Sequence, residues 1–284
     1  MTQEPTRPKA WANFLDRLWV VRFPVDVRQI ALEYSSRYSD RIMKIQEFAD
    51  FEGALFPLPK SGQWAILYNP DAPPGRINLT IGHELDHYRV HRAAEPQGFQ
   101  CGEKQVLGYD RNAEKRRIEQ EADEFAFYLL MPMDDFRSQV ERAEMTLDLL
   151  GHCADRYDVS RTAAAIKWID CTSECAVLVV ATNEHVLWCW RSHRAKKQRI
   201  FLQSGMELPA ESWSARPGLI VSESRGLELP GDVWPTGTPI QEMTIVADRY
   251  EMTISLLVIE DDQRDYNCEE EPVEDTFDRF MACQ

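Results

Sequence analysis

The chain has 284 residues, 44% of them apolar and 28% charged, and a formal net charge of −15 at pH 7. That composition belongs to a globular protein with length for two domains or one large one. It excludes a membrane-spanning helix, because no run approaches the roughly 20 apolar residues of a bilayer helix. The acidic balance also argues against phosphate-backbone binding as the main activity, since that affinity comes from Lys and Arg neutralising phosphates. The stretch Met1 to Lys9 is polar and contains prolines, with no apolar export signal. Seven cysteines form no pairing framework, so reduced thiols in a cytoplasm are expected.

After a loose terminus at residues 1–9, the Trp-rich segment Trp11 to Val21 predicts a helix packed on the body. A second helix is expected from Phe23-Pro24-Val25-Asp26 through about Ser36, with Pro24 in its first turn and Ile30, Ala31 and Tyr34 facing inward. Three strands follow at Arg41 to Phe48, Phe51 to Leu58 and Trp64 to Tyr68, with a turn at Lys60 to Gln63. They predict a small antiparallel sheet. Asn69 to Gly75 reads as a loop, and a helix should run from about Leu79 to Arg92 with Asn78 as its N-cap.

That helix holds Thr80-Ile81-Gly82-His83-Glu84-Leu85-Asp86-His87-Tyr88. Residues at i and i+4 share a helix face one turn apart, so His83 and His87 can offer two imidazoles to one zinc ion. Glu84 stands beside the first of them, where it can take a proton from a coordinated water, as in the zincin motif. A surface helix with two unrelated histidines is the plain alternative. His91 lies one turn further on. Three imidazoles rising about 6 Å per step along a straight helix cannot converge on a tetrahedral ion, so His91 is read as packing or as a support behind the ligands. Tyr88 is open to two readings, an oxyanion donor or a packing residue. Residues Glu95 to Asn112 are Gly-rich and polar and read as an irregular loop. Its Cys101 is either inert or able to sense or block the metal.

Catalytic zinc keeps three protein ligands and one open position. A helix over Ala113 to Met131, ended by Pro132, offers the third, with Ile118, Ala122, Phe125, Ala126 and Leu129 on one face. Glu119 flanks Ala122 and Ala126, whose small side chains admit a neighbouring helix. Glu121 lies on the opposite flank toward Tyr128 and is the reserve. Asp123, at i+4 from Glu119, would accept an N–H from a ligand histidine and fix its tautomer. Solvated surface carboxylates are the alternative reading of all three.

Leu79-Thr80-Ile81-Gly82-His83-Glu84-Leu85-Asp86-His87-Tyr88, with Glu119-Gln120-Glu121-Ala122-Asp123-Glu124-Phe125-Ala126 and Leu129-Leu130-Met131-Pro132, resembles the ImmA/IrrE metallopeptidases over roughly residues 23–169. The resemblance implies Zn2+ held by His83, His87 and Glu119, with Glu84 as the catalytic acid and base. It also implies a protein substrate, a DNA-binding repressor of the helix-turn-helix kind, whose cleavage switches on stress or mobile-element genes. The sequence departs from the usual pattern at Gly82, often Ala, and at Asp86, often Gly. In zincins an edge strand of the small sheet lies by the cleft and pairs with extended substrate.

Beyond this core, Met145 to Ile169 reads as helix, turn at Asp158 to Ser160, helix. This helix-turn-helix-like segment is better suited to structure or repressor docking than to DNA, because its second helix is mostly Ala, Ile and Trp with only Arg161 and Lys167 basic. Cys171 and Cys175 lack a second pair for a zinc ribbon. Strands are expected at Ala176 to Ala181, His185 to Arg191, Gln241 to Ala247 and Thr253 to Ile259, with a turn at Asn183-Glu184. The five basic residues of Arg191 to Arg199 read as a solvated loop or a docking patch. From Glu260 to Gln284 ten acidic residues face two basic ones, which predicts a disordered tail.

The fold class is therefore α+β: a zincin-like metallopeptidase domain at 1–144, a helical segment at 145–170, a mixed or mostly β domain, possibly sensory, at 171–260, and a tail at 261–284. The expected activity is that of a zinc endopeptidase acting on a partner protein in the cytoplasm. The alternatives are a metal-dependent sensor that sequesters a repressor uncut and a DNA-binding regulator; direct nucleic-acid or membrane contact is not expected.

Overall fold

The computed structural model describes residues 7–19, 22–101, 113–216, 224–247 and 251–260. The acidic tail at 261–284, residues 102–112 of the predicted loop and the side chain of Cys101 lie outside the described residues. The fold is α+β. The chain divides into two compact units, Met1–Phe136 with Ala154–Ser160, and Arg137–Cys153 with Arg161–Gln284.

Unit 1 opens with helices α1 (Pro8–Trp19) and α2 (Val27–Ser35). The helix reaches into the stretch expected to be loose, since Pro8 already begins α1, where its missing N–H costs nothing; residues 1–6 lie outside the described residues. Asp26, and not Pro24, starts α2. Its carboxylate accepts from the Gln29 N–H at 2.9 Å, so Pro24 lies before the helix. Strands β1 (Ile42–Glu47), β2 (Gly53–Leu58), β3 (Gln63–Tyr68) and β4 (Phe99–Cys101) form one sheet in the order β1-β3-β2-β4.

Two expectations about this sheet are corrected. It is not wholly antiparallel, because β1 runs parallel to β3. Residues 48–52 cross the end of β3, where Tyr68 pairs with both Glu47 and Gly53. The predicted loop at 95–112 is interrupted by β4, whose backbone pairs with Gly53–Leu55 of β2. Against the sheet lies α3 (Pro74–Asp86), continued as a single π turn (His87–His91), and α4 (Ala113–Leu130) packs on α3. Leu55, Ile66, Ile81, Leu85, Phe125 and Leu129 are fully buried there.

Two helices run across the division between the units: α5 (Met133–Val140) and α6 (Leu147–Tyr157). After Asp158, in the left-handed region at φ +49°, comes α7 (Arg161–Cys171). It buries Ala163, Ala164, Ala165, Trp168 and Ile169, and Lys167 is only 2% exposed. A recognition helix must offer its polar tips to a groove, and of the two basic residues here only Arg161 is exposed.

Unit 2 is built on a five-stranded antiparallel sheet in the order β6-β5-β9-β8-β7. Its strands are β5 (Ala176–Thr182), β6 (His185–Arg191), β7 (Leu227–Leu229), β8 (Ile240–Ala247) and β9 (Met252–Ile259). Asn183 and Glu184, at φ +49° and +62°, give the β5–β6 hairpin the twist of a type I′ turn. The predicted loop at 191–199 instead contains a short helix, α8 (His193–Lys197), because Ser192 caps it through the Ala195 N–H at 3.1 Å.

A carboxylate sits at the centre of this unit. Glu242 is fully buried. Its Oε1 accepts from Ser212 Oγ at 2.8 Å, Thr244 Oγ1 at 3.0 Å, the Ser214 N–H at 3.1 Å and Ser255 Oγ at 3.2 Å. Trp234 Nε1 donates to its other oxygen at 3.3 Å. The donors come from the 212–215 turn, from β8 and β9 and from the loop before β8, so one side chain ties four segments together. Replacing Glu242 with Ala strands these donors in the core and is expected to lower stability by about 3 kcal/mol. Urea unfolding checks this, and Glu242→Gln, which keeps an acceptor oxygen, should lose less.

Candidate metal centre

The motif helix begins earlier than its sequence suggests. Pro73 takes the N-cap position with Pro74 at the first helical residue, so the loop ends there and Asn78 is not a cap. Asn78 instead lies within α3, and its Nδ2 donates to the Asp158 carboxylate at 2.7 Å and backbone oxygen at 3.3 Å. No local pattern reveals a bond between residues 80 positions apart.

The close approach of α3 and α4 depends on small residues. A Cβ placed on Gly82 would stand 3.1 Å from the Ala126 Cβ, and Ala122 and Ala126 are fully buried. Across this seam the structure brings together His83, His87 and Glu119, with one ligand atom of each within 4.8 Å of the others. The two Nε2 atoms stand 2.9 Å apart, and the Glu119 oxygens reach them at 3.2 and 3.7 Å. Donors on a tetrahedral ion at bond lengths near 2.1 Å lie about 3.4 Å apart, so this set could hold a metal ion. Glu121 stays outside the cluster, 3.6 Å from Arg117. Asp123 Oδ1 stands 2.7 Å behind His83 Nδ1.

The electrostatics follow from burial and proximity. Burial alone would raise the Glu119 pKa, but its close contacts with the His83 and His87 rings outweigh it and hold the carboxylate well below its usual range. Burial lowers the His87 pKa, with the His83 ring adding to the effect. His91 is lowered by burial, and next by His87 and Arg89, to about 4.

Glu84 is fully buried, with its carboxylate against β2. A Cβ on Gly53 would meet Glu84 Oε1 at 2.9 Å and Thr80 Cγ2 at 2.4 Å. The bare Gly53 backbone therefore makes the space in which Glu84 sits. Asp86, the second departure from the family pattern, is also fully buried, and burial raises its pKa against the pull of Arg89. It pairs with the Arg89 guanidinium, which lies over the Trp11 and Phe125 rings at 4.7 and 5.2 Å. The substitution thus carries a cation–π bridge from α3 to α1 and α4. Of the two readings of Tyr88 the structure supports packing. Its ring is fully buried, 6.3 Å from Tyr38 and under the Arg92 guanidinium at 4.4 Å.

Two features had no clear signal in the sequence. The helix widens into a π turn at His87–His91, closed by the Arg92 N–H on the His87 carbonyl at 3.0 Å. From β4, Phe99 lays its ring parallel to His87 at 4.3 Å. On this side the edge strand of the sheet is β4, not β2. At Gly53–Leu55 the outer edge of β2 is already paired with β4.

A family model described as the IrrE N-terminal-like domain, of the M78 peptidases, matches residues 39–168. This segment belongs to the ImmA/IrrE family. The matched stretch contains His83, Glu84, His87, Glu119 and Asp123, so the ImmA/IrrE domain here is metallopeptidase-like with a donor set that fits a metal. No curated protein matches the chain. Among solved structures, a Mycobacterium tuberculosis transcriptional regulator is 13% identical, with a TM-score of 0.54 over 89% of this chain and 75% of that one. At that identity the likeness is one of fold. No helix among the described residues is long and apolar enough to cross a membrane.

Two outcomes are expected. Gly53→Ala forces Glu84 and Thr80 aside, lowering stability by about 1–3 kcal/mol and displacing the Glu84 carboxylate; thermal melting and a crystal structure check both. The unfolded chain takes up a proton at His91 below its ordinary pKa of 6.5, while the folded one stays neutral down to about 4. The stability from this group is therefore complete above pH 6.5 and is lost as pH falls toward 4. The melting temperature of metal-free protein should drop across that window, and less so for His91→Phe.

Proposed function

We propose that this protein is a cytoplasmic zinc endopeptidase that cuts a partner protein, a helix-turn-helix repressor, and so releases stress or mobile-element genes. The observation that carries the reading is the convergence of two imidazoles and one carboxylate from two helices of an ImmA/IrrE domain. Two nitrogens and one oxygen with a fourth position open are the donor set of hydrolytic zinc sites. When bound, zinc would lower the pKa of a coordinated water toward 7 and polarise the scissile carbonyl.

The remaining work falls to the chain. His83, His87 and Glu119 hold the ion, and Asp123 keeps the His83 proton on Nδ1, leaving Nε2 bare. Glu84 takes the proton of the attacking water and returns it to the leaving amine. Its buried place against Gly53 supports this role, since a carboxylate with little bulk water around it exchanges protons with what is brought to it. The buried face of α7 speaks against the DNA-binding reading.

The test is to look beside its gene for a small helix-turn-helix repressor and to incubate that repressor with purified protein, with zinc and with chelator. Cleavage is expected with zinc only. Glu84→Gln should keep its zinc and lose at least about 100-fold in cleavage rate, whereas Glu119→Ala should lose the metal itself. If Glu84→Gln relieves repression as well as the unaltered protein does, the protein sequesters its partner and the protease reading falls.

A further inference from the structure

His87 and His91 meet Nδ1 to Nδ1 at 3.2 Å, both buried. Two bare nitrogens do not attract each other, and neither do two N–H groups, so one ring donates and the other accepts. The metal-site reading decides which. His87 turns its Nε2 to the His83 Nε2 at 2.9 Å and toward Glu119 at 3.7 Å. A nitrogen that is to bind metal must be bare, so the His87 proton belongs on Nδ1.

We infer that His91 is the positioning residue for His87: its Nδ1 accepts the His87 Nδ1–H and so turns a bare Nε2 to the metal centre. The inference rests on the metal-site reading above and extends it to a residue outside the donor set. It gives the two ligand histidines unlike supports. His83 is backed by a carboxylate, Asp123, at 2.7 Å and half exposed, with 47% of its side-chain surface open. His87 is backed by a neutral, buried imidazole.

Two independent features of the fold support the assignment. The π turn spans His87–His91 itself, and such widened turns recur at functional sites because they re-aim a side chain. Phe99 covers the pair, parallel to His87 at 4.3 Å and 5.7 Å from the His91 ring. The contact is thereby shielded from water that would otherwise serve as acceptor, and losing the acceptor leaves a buried N–H without a partner.

The experiment uses the full chain with Zn2+ as probe. Affinity is measured by chelator competition, and the His87 tautomer is read from 15N-imidazole NMR, which a purely structural role would not move. His91→Phe, similar in size but without an acceptor, is expected to weaken zinc binding by about 10–100-fold and to shift the metal-free His87 away from the Nδ1–H form. His91→Asn offers a carbonyl oxygen near the place of Nδ1 and should restore most of the affinity. Equal zinc affinity in His91→Phe and the unaltered protein overturns the inference and leaves the zinc site standing. An unaltered protein that takes up no zinc overturns the metal reading beneath it. Should His91→Phe fail to fold, the tautomer in the unaltered protein decides: a His87 protonated on Nε2 overturns the inference, and one protonated on Nδ1 supports it.

Discussion

The candidate metal centre depends on how closely α3 and α4 approach. A ligand set tolerates errors of only a few tenths of an ångström, and its members sit on two helices joined by a long connection. What sets the spacing is Gly82 against Ala126, with Ala122 one turn away. Glycine in a helix interior costs about 1 kcal/mol relative to alanine. Here that cost is exchanged for an approach that lets Glu119 reach both imidazoles. Asp86 and Arg89 brace the same helix from behind, so both departures from the family's usual residues act on one seam.

Much of this centre was legible because its determinants are local and periodic. The i, i+4 spacing of His83 and His87 puts them on one face whatever surrounds them. The helical wheel separated Glu119, beside Ala122 and Ala126, from Glu121, which sits with Arg117. Asp123 followed from the same wheel. The positions of β1, β2, β3, β5, β6, β8 and β9 were legible from apolar runs and turn residues, and that of the short β7 was not. What was not legible is non-local. The parallel pairing of β1 with β3 depends on which side of a hairpin is free, and the tie of Asn78 to Asp158 joins distant residues. The π turn has no periodic signature, and the short β4 falls in a Gly-rich, polar stretch that reads as loop.

Unit 2 teaches the same lesson from the other side. A glutamate in a strand reads as a solvent-facing residue, yet Glu242 is fully buried and hydrogen-bonded on both oxygens. Its partners Ser212, Ser214, Thr244 and Ser255 are ordinary polar residues in sequence, and only the sheet brings them round one carboxylate. Burial without satisfaction would be ruinous; the cage shows how a polar core replaces apolar packing as the device that fixes a turn to a sheet.

The pairing of β4 with β2 also bears on what can dock beside the candidate site. An open strand edge beside a hydrolytic centre is a template on which any unfolded chain can lie down through its backbone. Here the stretch nearest the Glu84 pocket is already occupied by the protein's own main chain at Phe99–Cys101. β4 thereby becomes the outermost strand on that side of the sheet, and its described length is three residues. A polypeptide adding itself there would gain only a short ladder, and a short edge strand is one of the devices by which sheets discourage unwanted pairing.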